Sequence, residues 1–238
     1  MSRFTVLLAS VSGLVCVSSV QAASLQVSPV SLDLTAPVRA SSITLRNNSD
    51  DRSNVQIRVY KWTQVAGKDQ LTPATEVIVS PPAAALQPDK AYTIRVVHLT
   101  APFRSSEESY RLLIDELPEI NVRRRAAAVN LATRYSIPVF FSDRSATADL
   151  HWKIQRSGKE LVIEATNTGN RHAKIANLTA STSSSHVNFG GGLNGYVLPG
   201  STVRWTASAG PIQVGSHVNI TAKGDDYAVN QTAMVSGR

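Results

Sequence analysis

The chain has 238 residues, a formal charge of +7 (Lys+Arg 24 against Asp+Glu 17), 6% aromatic residues and a single cysteine. One thiol excludes a disulfide framework within the chain, and low aromatic content without long helical periodicity points to an all-β protein. The basic balance would suggest a nucleic-acid partner in a cytoplasmic protein, but the N-terminus points to export.

Arg3 gives a short basic start, Phe4 to Val17 is largely apolar, and Val20-Gln21-Ala22 fits the small-x-small cleavage rule. Residues 1–22 are therefore expected to be a secretory signal peptide, too short and too weakly flanked for a membrane anchor. Cys16 lies inside this segment and leaves with it; no cysteine stands at the cleavage point to carry a lipid. About 216 residues remain, enough for one or two domains. They meet an oxidising compartment without a disulfide, so packing must supply their stability. In that setting the positive charge serves solubility and attraction to acidic partners rather than nucleic acid.

In chain order, Leu25 and Val27 alternate against Val30, Leu32 and Leu34, and the parity changes at Pro29-Val30. That predicts a bulge or kink, and a proline without a ladder donor places the first strand at a sheet edge. Strands are predicted at Ser42–Asn47 and Val55–Trp62, joined by the polar turn Asn47-Asn48-Ser49-Asp50-Asp51. A short strand follows at Thr75–Val79, ending at Ser80-Pro81-Pro82, then strands at Ala91–Leu99 and Ser109–Leu117. A basic loop, Pro118 to Arg125, leads to the last and longest strand of this half. Seven strands spaced by turn signals predict an immunoglobulin-like sandwich over residues 23–141. Ser142-Asp143-Arg144-Ser145-Ala146-Thr147 breaks the apolar pattern and reads as a short linker. Beyond it, strands are predicted at Leu150–Arg156, Glu160–Thr166, Ala173–Ala180, Tyr196–Leu198, Ser201–Ala207, Val218–Ala222 and Gln231–Val235. Ser157-Gly158-Lys159 makes the first two a hairpin, and residues 148–238 form a second, smaller β-sandwich. The expected fold class is all-β: two immunoglobulin-like β-sandwich domains joined by a short linker.

The long strand, Ala126 to Phe141, carries Ala127, Val129, Leu131, Thr133, Tyr135, Ile137, Val139 and Phe141 at odd positions. That is one nearly unbroken apolar row at period two, with Asn130, Arg134 and Ser136 on the other face. Strands usually run about 5–6 residues, so this one outreaches the sheet that would cover it.

Catalytic patterns are absent. The five histidines (His98, His151, His172, His186, His217) show no HExxH and no cysteine at zinc spacing. Gly190-Gly-Gly-Leu-Asn-Gly195 lacks the GK[ST] ending of a phosphate loop, and no GxSxG, SxxK or paired carboxylates occur. Arg123-Arg124-Arg125 reads as a solvated loop. No enzyme activity and no cofactor are expected. A soluble exported protein that keeps a long apolar strand, where most proteins blunt such edges, points to partner binding by strand addition. A secreted two-domain adhesin or carbohydrate-binding module is the alternative, but it calls for loop-clustered aromatics, whereas Trp62, Trp152 and Trp205 lie on predicted strands.

Four segments in order resemble the periplasmic pilus-assembly chaperones of the chaperone–usher pathway. They are Ala23 to Leu34, Ser80 to Pro88 followed by Tyr92-Thr-Ile-Arg-Val96, Glu108 to Pro118, and Leu131-Ala-Thr-Arg-Tyr-Ser-Ile-Pro138. Most of that family carries a basic residue in the first strand, whereas no Lys or Arg occurs here from Ala23 through Val38. The donor row is also reduced to Ala127, Val129 and Leu131. Both departures, with the Arg-x-x-Ile-Pro ending, resemble the divergent branch called archaic or alternative.

The resemblance implies a client: a pilus subunit that is an incomplete sandwich lacking its last strand. Residues 126–133 would donate that strand, with Ala127, Val129, Leu131 and Thr133 about 7 Å apart along one face. Arg134, of opposite parity, is the expected anchor for the subunit's C-terminal carboxylate in the cleft between the domains, and Arg95 is the second candidate. Subunits would leave at an outer-membrane usher without nucleotide, membrane insertion or nucleic acid. Self-association is open to the free protein as a way to cover its strand.

Overall fold

Buried and exposed residues alternate along most of the chain, and the computed structural model, which describes residues 25–100, 106–117, 132–224 and 228–237, is built from strands. The first ten are β1 (Leu25–Ser28), β2 (Leu32–Thr35), β3 (Ala40–Asn47), β4 (Ser53–Val65), β5 (Lys68–Pro73), β6 (Val77–Ser80), β7 (Ala83–Leu86), β8 (Ala91–His98), β9 (Glu108–Leu117) and β10 (Arg134–Ser142). One sheet has the order β1-β3-β8-β6; the other runs β2-β10-β9-β4-β5, with β7 also on β4. Ile43, Leu45, Ile94, Leu112, Ile114, Val139 and Phe141 are fully buried between them.

The parity change at Pro29-Val30 is a change of sheet rather than a bulge. β1 pairs antiparallel with β3 in one sheet, and β2 pairs parallel with β10 in the other. Two strands here, β5 and β7, are not among those predicted from sequence. β5 is exposed at every position, so it has no apolar alternation to read. β7 is Ala-Ala-Ala-Leu, without the β-branched or aromatic residues that mark a strand. Ser80-Pro81-Pro82 therefore does not end the pairing; it carries the chain from β6 on one sheet to β7 on the other.

The second sandwich contains β11 (Leu150–Ser157), β12 (Glu160–Asn167), β13 (Ala173–Ser181), β14 (His186–Asn188), β15 (Leu193–Val197), β16 (Thr202–Ser208), β17 (His217–Lys223), β18 (Ala228–Met234) and β19 (Ser236–Gly237). Its sheets run β16-β12-β11-β19 and β14-β13-β17-β18, with β15 on β13. Trp152 and Trp205 stack with centroids 6.1 Å apart against this core.

Among the described residues, each sandwich holds one fully buried asparagine at a strand end. Asn47 donates from Nδ2 to the Asp51 and Leu86 carbonyls, and Asn167 to those of Arg171 and Val197. Both satisfy turn backbone that would otherwise be stranded away from water.

Gly169 lies in the turn after β12, where the linker crosses it. A Cβ there would sit 2.3 Å from the Thr147 carbonyl oxygen, so only glycine permits the approach. The Asn170 and Arg171 amides donate to that same carbonyl.

Between the sandwiches, Trp62, Phe140, Tyr196 and Leu198 form a separate buried cluster. Phe140 lies on the outer face of its sheet and is buried because the second sandwich covers it. The His172 ring stacks on it at 3.6 Å and 12°. Gln64 donates to the Tyr196 carbonyl and accepts from the Leu198 amide, so one side chain ties β4 to β15.

Candidate functional site

β10 is paired on one side along nearly its whole length and on the other only near its end. It faces β9 from Arg134 to Phe141, but β2 only from Val139 to Ser142. From Arg134 to Pro138 its other edge has no strand partner among the described residues. The direction of the free groups follows from two bonds. Thr133 accepts from the Glu116 amide on the β9 side, and Ser142 accepts from the Ala36 amide on the β2 side. Carbonyls alternate along a strand, so those of Arg134, Ser136 and Pro138 face the open edge, with the Arg134 and Ser136 amides beside them. Pro138 has no amide to offer.

Arginines on the outer face of this sheet stand in different settings. At the start of β10, Arg134 Nε donates to Asp115 Oδ1, and Arg58 Nη2 donates to Asp115 Oδ2 at 2.5 Å. Asp115 is nearly buried beneath them. The Arg134 hydrogen bond, aided by Arg58 and opposed by burial, holds the Asp115 carboxyl below the usual carboxylate range. Four residue pairs along the ladder, opposite Pro138, stands Arg111. Its guanidinium lies 3.7 Å from the Trp62 ring centroid and 5.6 Å from that of Tyr196, next to the contact between the sandwiches. Burial pulls the Arg111 pKa down, and no carboxylate among the described residues lies within ion-pair distance of it.

The residues singled out from sequence are placed as follows. Ala127, Val129 and Leu131 lie outside the described residues; Thr133 is half-buried just before β10. Arg134 shares its outer face with Phe140 but starts the strand, six residues or roughly 20 Å from the interdomain cluster. Arg95 is exposed on β8, in the other sheet, between Ser42 and Ser80. Its neighbours Ile94 and Val96 point into the core, so it faces away from the side that carries Arg134. The fold does not bring Arg95 and Arg134 together. Arg111 was not anticipated from sequence. The only available signal was its parity, opposite to the core residues Tyr110 and Leu112 and shared with the later Asp115.

Buried chemistry elsewhere is structural. Glu108 accepts from Tyr110 at 2.5 Å and Lys61 at 3.2 Å, and His98 Nε2 lies 3.1 Å away. Burial pushes its carboxyl up, but these contacts outweigh it and hold the pKa to about 2. Glu107 and His172 close the domain contact, with Nδ1 2.8 Å from Oε2. Among the described residues no three His, Cys, Asp or Glu side chains converge as a metal site requires, and no helix is long and apolar enough to cross a membrane.

Residues 24–145 match the family profile described as pili and flagellar-assembly chaperone, PapD N-terminal domain. No curated protein sequence matches the chain. The fold is similar to that in the CsuC–CsuE chaperone–tip adhesion subunit pre-assembly complex from archaic chaperone–usher Csu pili of Acinetobacter baumannii. That match has 24% identity and a TM-score of 0.67, covering 91% of this chain and 100% of that one. It is also similar to the Salmonella enterica SafA pilin complex with the SafB chaperone, at 14% identity and TM-score 0.62, covering 90% and 98%. The Pseudomonas aeruginosa CupB2 chaperone matches at 17% identity and TM-score 0.57, covering 87% and 98%.

Proposed function

The chain belongs to the pili and flagellar-assembly chaperone family, and we propose that it acts in the periplasm by donating a strand to pilus subunits. The observation that carries this reading is the edge of β10 from Arg134 to Pro138, which has no strand partner among the described residues and is continuous in sequence with the apolar row of residues 126–133. A subunit strand laid along that edge finds free carbonyls and amides, while Ala127, Val129, Leu131 and Thr133 fill its groove. Each large apolar side chain buried contributes roughly 1.5–3 kcal/mol, and alanine less. Similar folds have been solved with a tip adhesion subunit and with a pilin, which supports clients of that class. The signal peptide of residues 1–22, domains at 23–141 and 148–238, and release at an outer-membrane usher complete the scheme.

The carboxylate of the subunit's C-terminus needs a cationic anchor. Of Arg134, Arg95 and Arg111, the geometry favours Arg111. Arg134 is already bonded to Asp115, and Arg95 faces away from β10. Arg111 stands beside the interdomain contact, partly desolvated and held only by aromatic rings among the described residues. A desolvated guanidinium gains most from a bidentate carboxylate.

The test is Leu131→Glu. A folded variant should lose capture of a pilus subunit that the parent chain captures when the two are co-expressed. Normal capture would show that residues 126–133 are not the donated strand. The adhesin alternative finds no support in the aromatic residues: Trp62 is sealed between the sandwiches and Trp152 lies in a core.

A further inference from the structure

We propose that Asp115 is a positioning residue that sets the register of β10 where the donated segment ends and joins it, using Arg134 and Arg58 as its two arms. This rests on the strand-donation reading above.

Arg134 is the first residue of β10 and stands directly opposite Asp115 in the ladder. Gln56 of β4 stands opposite Asp115 on its other side, with Arg58 on the neighbouring diagonal. The two oxygens of one carboxylate are used separately, Oδ1 by Arg134 and Oδ2 by Arg58. One side chain thus links three adjacent strands across their outer face. An exposed ion pair contributes little, because water and salt screen it. Here the two arginines cover the carboxylate, with side-chain exposures of 60% and 41% against 12% for Asp115.

The placement matters because little else fixes register there. Between Arg134 and Pro138 only β9 pairs with β10 among the described residues, and Pro138 has no amide. On the inner face, the Tyr135 hydroxyl donates to the Leu25 carbonyl. A slip of one residue turns every side chain to the opposite face. A slip of two moves Arg134 about 7 Å along the ladder, opposite Leu113 or Leu117 and away from the carboxylate. In an extended chain continuing back from Thr133, the register at Arg134 decides which face Leu131, Val129 and Ala127 present. Asp115 therefore acts on the client through Arg134 without touching it.

The experiment is backbone amide exchange on full chains carrying Asp115→Asn or Arg134→Ala, with subunit capture measured on the same variants. The Glu116 amide, which donates to Thr133 at 2.9 Å, reports the root of β10. In both variants it should exchange about tenfold faster, with Leu112 unchanged, because opening there is local. Capture of a pilus subunit that the parent chain captures should fall by a similar factor in both, and Arg134→Lys should recover part of it. A uniform rise along β9 would reduce Asp115 to a global stability residue and overturn the proposal. Lost capture in Arg134→Ala with normal capture in Asp115→Asn would also overturn it, since that pattern marks Arg134 as the carboxylate anchor. Unchanged exchange at Glu116 overturns it outright. Normal capture by Leu131→Glu would instead remove strand donation, whatever the exchange data show.

Discussion

The Arg111 guanidinium lies over the Trp62 ring, its Cζ 3.7 Å from the centroid, at the contact between the two sandwiches. A cation over an indole contributes from about 0.5 to 2 kcal/mol as it is desolvated. Arg111→Ala should lower stability by about 1 kcal/mol in urea unfolding. If the guanidinium also holds the client carboxylate, Arg111→Ala should abolish subunit capture, and Trp62→Phe, which keeps a ring under the cation, should not. Normal capture by folded Arg111→Ala would remove it as the anchor.

Glu107 and His172 form a buried contact between the sandwiches, with side-chain exposures of 0% and 8%. Glu107 also accepts from the His172 amide, so one carboxylate of the first sandwich receives two bonds from the second. Breaking one partner of a buried pair leaves an uncompensated charge at about 3–5 kcal/mol. His172→Ala also removes the ring stacked on Phe140. Thermal unfolding should lose cooperativity between the sandwiches, and small-angle scattering should show a broader range of interdomain distances. An unchanged single transition would place the rigidity elsewhere.

Acid should destabilise the first sandwich through Glu108. Its folded pKa of about 2 lies below its ordinary value of 4.5, so the unfolded chain binds the proton first. The stabilisation is complete above pH 4.5 and is lost as pH falls towards 2. Partial exposure of Glu108 trims the effect by solvent screening. Asp115, also held low, adds to the same trend. Glu108→Gln should flatten the fall in melting temperature across that window, and an identical acid slope in variant and parent would disprove the assignment.

Gly169 meets the linker too closely for a side chain. In Gly169→Ala the Cβ would stand 2.3 Å from the Thr147 oxygen, so the linker or the turn must shift. The amide bonds from Asn170 and Arg171 to that oxygen would weaken with it. A loss of about 1–3 kcal/mol is expected from such a backbone clash. Limited proteolysis should then cut near Arg144, which is exposed in the linker. Wild-type resistance there would show that the turn absorbs the methyl group without moving the linker.

The strand-rich fold class is legible in the residues alone, because period-two alternation depends only on which residues neighbour each other along a pleated chain. Ile43 and Leu45, Ile94 and Val96, and Leu112 and Ile114 declare their inner face locally, and all are buried. The same logic made residues 126–141 conspicuous as a long apolar row. It failed at β5 and β7, whose strand state comes from pairing with β4 rather than from their own residues.

The partners come from the packing of distant strands. Arg58 and Asp115 are 57 positions apart, and Glu107 and His172 are 65 apart. No local pattern announces such pairs, because a charge's setting depends on which distant strand is folded beside it. Phe140 has outer-face parity and is buried because a second sandwich covers it, and the same covering places Arg111 at the interdomain contact. Parity tells a residue which way to face; the packing of one sandwich on the other decides what it finds there.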